Sequence, residues 1–207
     1  MSLGSLGGVA AYTAYVYEAL PERVATHFDL HGNPNGWMDR PMATWGMQGL
    51  GLFFWFVIRS SSRWLPVSGG WRERLQKSPL AGVAMLTAFL LASINVFVVA
   101  TAQHPGESHA GLLTGLVGAF CLALSVLLPR VRRNPLIGVR TSFTLSSDEN
   151  WARTHRVASY AFAASGLMGL ASAAAGLPAL RLCACLGGGL APLLYSWVVQ
   201  YRLPPGA

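Results

Sequence analysis

The chain has 207 residues, of which 53% are hydrophobic and only 11% charged, whereas a soluble globular chain carries roughly 25% charged residues. So few charges cannot clothe a water-facing surface, and with a mean hydropathy of +0.43 this excludes a soluble enzyme, a disordered chain and a disulfide scaffold. The net charge of +7 does not point to nucleic acid, because the basic residues lie between apolar runs, as they do in membrane proteins with cytoplasmic basic loops.

In chain order, residues 2–19 form a first Gly- and Ala-rich candidate span, charged only at Glu18. No Lys or Arg precedes Arg23, so the basic region of a signal peptide is missing and a retained span is expected. Tyr12, Tyr15 and Tyr17 gather towards its end, where aromatic residues favour the membrane interface. Residues 42–58, 80–102, 110–129, 157–180 and 182–200 contain no Asp, Glu, Lys or Arg. A crossing helix needs about 20 apolar residues, so the expected fold is an all-α polytopic membrane protein with about six transmembrane helices.

Loop 59–79 carries Arg59, Arg63, Arg72, Arg74 and Lys77, and loop 130–156 carries Arg130, Arg132, Arg133, Arg140, Arg153 and Arg156. By the positive-inside rule both face the cytoplasm, loops 20–41 and 103–109 face outward, and both termini lie inside. The expected organisation is a two-helix unit over residues 1–60 and a four-helix unit over 61–207. The cysteines, Cys121, Cys183 and Cys185, lie inside apolar segments and suggest neither a disulfide framework nor a thiolate zinc site.

Small residues recur at four-residue spacing in Gly111 with Gly115, Ser165 with Gly169, and Ser172 with Gly176, which allows close helix approach in lipid. Pro178 and Pro192 are expected to end or kink their helices. Gln48, Thr87, Asn95 and Thr114 are polar exceptions within the spans and read as bundle hydrogen bonds. Clear spans hold no deep Asp or Glu, which argues against a carboxylate-lined proton or ion path.

Loop 130–156 is the most patterned segment. Asn134-Pro135 favours a turn and Gly138 allows another change of direction. Ser146 followed by Glu149 reads as a capping box, with Asp148 in the first turn of a helix beginning near Ser147. On that helix Trp151 and His155 lie one turn apart, and Glu149 and Arg153 form a favourable pair. Trp151 also fits an anchor at the lipid headgroups.

Asn134-Pro135, Gly138, Arg140-Thr141, Thr144-Leu145, Asp148, Trp151 and Thr154-His155 resemble the signature of the SdpI family, bacterial multi-spanning membrane proteins linked to immunity against secreted toxic peptides. Leu20-Pro21, His27, Gly32, Gly36 and Trp37 resemble a small domain of unknown function often found upstream of that signature. The resemblance implies protection of a bacterial inner membrane against a membrane-active peptide toxin. Pro21, His27, Gly32 and Trp37 would then mark the toxin-facing loop, and the loop with Arg140 and Trp151 would offer a docking surface to a cytoplasmic partner. The bilayer is the other expected partner, and no direct contact with nucleic acid is expected.

An alternative stays open. His27, His31, His104 and His109 fall on the outward side, and imidazoles beside Glu22, Asp29, Asp39 and Glu107 suit zinc. A membrane-embedded metal-dependent peptide hydrolase is therefore the rival reading, although Asp29, Asn33, Pro34 and Asn35 argue for an irregular loop there. No His-Glu-x-x-His or G-x-S-x-G pattern occurs, so no catalytic residue or resident cofactor is assigned. A transporter or lipid-interacting protein is the second rival.

Overall fold

A computed structural model describes residues 3–29, 31–64, 79–104, 109–135 and 137–202. Helix α1 (Leu3–Val16) ends in a 3-10 turn, Tyr17–Ala19, and leads into strands β1 (Arg23–Phe28) and β2 (Pro34–Asp39). A π-helical turn, Met42–Gly46, opens into α2 (Met47–Trp64). There follow α3 (Pro79–Gln103), α4 (Ala110–Leu127), the short α5 (Ser142–Ser146), α6 (Asp148–Ala175) and α7 (Pro178–Arg202). Most of loop 59–79, Glu107 and the side chains of Cys183 and Cys185 lie outside the described residues.

The fold is mostly helical, and the apolar runs lie largely in helix, except that the run 157–180 is broken at Gly176 and Leu177, between α6 and α7. Among the described residues Gly82–Gln103, Ala110–Arg130 and Asp148–Ala175 are long and apolar enough to cross a membrane. The helix drawn from residues 2–19 has 14 residues, about 21 Å at the rise of an α-helix. Gly176 ends α6 with φ of 66°, and Pro178 begins α7, where its missing N–H costs no intrahelical bond. Pro192 is accommodated inside α7.

Two expectations are corrected. Loop 20–41 is not irregular, and the fold is not purely α: β1 and β2 pair as an antiparallel hairpin. The turn signals do mark its reversal. The Asp29 carboxylate accepts from the backbone N–H of His31 at 2.8 Å and of Asn33 at 2.9 Å, and Gly32 takes a φ of 92°. What makes the flanks strands is the packing of fully buried Val24 with Phe97 and Val98 of α3, and of Phe28 edge-on to Phe97 with ring centres 5.5 Å apart.

The capping box also lies elsewhere. Thr141 caps α5 reciprocally with Thr144, whereas α6 starts at Asp148 behind Ser147, whose side chain accepts from the Asn150 N–H. The helix start itself is where the sequence places it.

Packing uses small residues, as expected in lipid. At the α4–α6 crossing a Cβ on Gly118 would lie 2.9 Å from the Gly166 carbonyl oxygen, and one on Gly166 would lie 2.7 Å from that of Gly118. Gly111, Gly115 and Gly169 continue this seam. Elsewhere two of the polar exceptions, Gln48 and Asn95, form a knot with Thr13 and Thr44, whereas Thr114 donates to the Ala110 carbonyl of its own helix. Gln48 Nε2 donates to Thr13 Oγ1 at 2.8 Å and Asn95 Nδ2 donates to the Thr44 carbonyl at 3.0 Å, tying α1, α2 and α3 together. The π-helical turn brings Thr44 into this knot.

Candidate functional site

The two patterned loops pack at opposite ends of α3. At its start, Val83 clusters with Val131 and Trp151; at its end, Phe97 and Val98 cluster with Val24. Each end gathers most of the residues singled out in the sequence.

The first end is a latched loop. Asn134 staples a turn by accepting from the Ile137 N–H at 2.8 Å and donating to the carbonyls of Arg132 and Ile137 at 2.8 and 3.0 Å. Gly138 then takes a φ of 122°, a region disfavoured for side chains, and a Cβ there would overlap His155 Nε2. Both backbone groups of the next residue are engaged: the Val139 N–H donates to His155 Nε2 at 3.1 Å, and its carbonyl accepts from Thr144 Oγ1 at 2.7 Å.

His155 therefore accepts at Nε2 and carries its proton on Nδ1, which faces the Trp151 carbonyl at 2.9 Å. The tautomer follows from the hydrogen-bond network. The rings of Trp151 and His155 stack with centres 4.1 Å apart, and Trp151 Nε1 donates to the Val131 carbonyl at 2.7 Å. Trp151 is 3% exposed and His155 1%, so Trp151 does not serve as a headgroup anchor. It closes the loop from inside.

Around this latch, Arg133 pairs with Asp148 at 2.7 Å and donates to the Leu145 carbonyl at 2.9 Å. Glu149 and Arg153 form the expected pair. Arg130, Arg132, Arg140 and Arg156 are exposed, as is Pro135, so the loop presents guanidinium groups from a fixed frame. Sequence reasoning missed Asn150: fully buried, it donates to the Ser196 carbonyl of α7 at 3.0 Å and accepts from Thr154 at 2.9 Å. A polar pair one turn apart, beside Trp151 and His155, is the sequence signal for it.

The second end is the hairpin. Pro21 is exposed ahead of β1, His27 lies in β1, Gly32 in the turn and Trp37 in β2. His27 Nδ1 lies 2.5 Å from Asn35 Oδ1. Arg40 sits over the Tyr17 ring at 4.6 Å and donates to the carbonyls of Tyr17 and Leu20 at 3.2 Å, clamping the end of α1 to the start of α2.

His27, His31, His104 and His109 are not brought together. His27 is on a strand, His31 is in the turn with its backbone bound to Asp29, and His109 packs edge-on to Phe97. His104 is exposed at the end of α3. Among the described residues no three His, Cys, Asp or Glu side chains are placed to share a metal ion.

Two family models match the chain. Residues 130–196 match the SdpI/YfhL protein family and residues 6–52 match a domain of unknown function, DUF1648. The first range runs from the latched loop through α6 into α7, and the second covers α1, the hairpin and the start of α2. No curated protein and no solved structure matches. Both resemblances read from the loops therefore hold: the chain carries an SdpI/YfhL-family segment downstream of a DUF1648 segment.

Proposed function

We propose that the protein is a multi-pass inner-membrane immunity protein that protects a bacterial cell against a secreted membrane-active peptide, with relay through its cytoplasmic loop. The observation that carries this reading is the SdpI/YfhL match over 130–196, which coincides with the latched loop and the helices that hold it. Six crossings with both termini inside follow from the basic loops. The outward hairpin receives the peptide, and the exposed arginines around Arg140 meet the cytoplasmic partner.

Topology is tested by single cysteines at Asn33 and Ser142 in a background lacking Cys121, Cys183 and Cys185. With a membrane-impermeant maleimide on intact cells, labelling at 33 and none at 142 is expected, and the reverse pattern overturns the orientation. Function is tested by expressing the chain in peptide-sensitive bacteria. Protection that is lost in Arg140→Ala and Trp151→Ala at normal membrane levels supports the reading; no protection by the unaltered chain overturns it.

A further inference from the structure

Among the described residues, nothing covers the outer edge of strand β2. The Arg40 N–H donates to the Glu22 carbonyl at 2.8 Å, and the register pairs Arg23 with Asp39, Val24 with Met38 and Ala25 with Trp37. In an antiparallel pair, hydrogen-bonded and non-hydrogen-bonded positions alternate. The N–H and C=O of Trp37 and the N–H of Asp39 therefore point away from β1. Among the described residues none of these three groups has a partner, and no residue of β2 is buried. The opposite strand, β1, is the one seated on α3 through Val24.

The surroundings of this edge define what fits it. Trp37, Met38, Met42 and Trp45 are exposed large apolar side chains on and just after β2. Residues 18–41 carry four carboxylates, Glu18, Glu22, Asp29 and Asp39, against two arginines, in a chain whose net charge is +7. Arg40 is turned inward onto Tyr17 and Leu20 and pairs with Glu18 at 3.7 Å, which leaves Glu22, Asp29 and Asp39 against Arg23. This end is locally acidic and aromatic beside an open ladder of backbone groups.

We infer that the outer edge of β2 at Trp37 and Asp39 is a strand-addition site for an extended, cationic, apolar peptide. Backbone hydrogen bonds to the edge supply affinity and the alternate side chains supply selectivity. Lysines or arginines of the peptide meet Asp39 and the indole of Trp37, which share one face of β2, and its apolar residues lie beside exposed Met38 on the other face. The inference rests on the peptide-immunity reading and specifies how the peptide is held.

The test uses the full chain in nanodiscs and three fluorescent synthetic peptides of alternating pattern: Lys-Val, the same peptide N-methylated on one backbone edge, and Glu-Val. Lys-Val is expected to bind at least tenfold more tightly than either of the others. Trp37→Ala and Asp39→Asn are expected to weaken it while leaving the melting temperature unchanged. Equal binding of the N-methylated peptide, or no binding of Lys-Val, overturns the inference, as does an edge found paired with a second copy by cross-linking at Trp37→Cys. Cell protection is scored in parallel. Protection by the unaltered chain with no edge dependence removes the strand-addition site and leaves the immunity reading standing; absence of protection removes that reading itself.

Discussion

Gly138 and His155 occupy the same space in the sense that only a residue without a side chain at 138 lets the imidazole reach the Val139 N–H. The loop is thus held by a contact between a backbone that must turn through positive φ and a ring that must stay neutral at Nε2.

Gly138→Ala meets two penalties together, a backbone conformation that costs about 1–3 kcal/mol for a non-glycine residue and the overlap with His155. We expect a lowered melting temperature in detergent and loss of protection in cells. Gly49→Ala, where a Cβ meets nothing within 4 Å, is the matched control and leaves both intact.

Trp151→Phe keeps an aromatic ring but removes the bond to the Val131 carbonyl and leaves a void where the indole's second ring packs. Leaving a buried acceptor unsatisfied costs about 1–3 kcal/mol. His155→Phe instead orphans the Val139 N–H. Hydrogen exchange separates the two: the Val139 amide is expected to exchange at least tenfold faster in His155→Phe, and equal exchange in both variants would refute the latch geometry.

The α4–α6 seam has backbone on both sides, so it cannot give way by moving a flexible side chain. A Cβ at Gly118 would lie 3.0 Å from the Leu170 nitrogen as well as against Gly166. Overpacking of this kind costs about 1–3 kcal/mol. Thermal unfolding of Gly118→Ala should show that loss, and unchanged unfolding would mean the helices are free to separate.

The hairpin turn is sensitive to acid. The Asn33 backbone N–H, more than any other group, holds the Asp29 carboxyl below its ordinary value of 3.8, with burial opposing and the Asn33 side chain and His31 N–H adding to the effect. A depressed carboxyl pKa stabilises the folded turn above 3.8, and that contribution disappears as pH falls further through the folded value. The amide signals of His31 and Asn33 in the solubilised protein should shift in that acid window. The same signals in Asp29→Asn should lack that step.

The helices and the start of α6 were legible because apolar runs free of charge and a polar cap are local patterns. Asp29, Gly32 and Asn33 likewise announced a reversal. That the flanking residues would pair as strands depended on Val24 and Phe28 meeting Phe97, which lies some seventy residues away in sequence. The signature residues were found, but Trp151 and His155 face inward because Val131, Gly138 and Val139 fold over them, and no periodicity on α6 reveals that. Four histidines on one side suggested a shared ligand site; strand, turn and helix end keep them apart.

Helix α3 touches the latched loop through Val83 and the hairpin through Phe97, fourteen residues and about 21 Å of continuous helix. It therefore behaves as a strut whose two ends are both wedged. Val24 presses on one end of this helix and Trp151 seats against the other. The proposed relay would have a single continuous helix as its shortest route from the hairpin to the arginine-bearing loop.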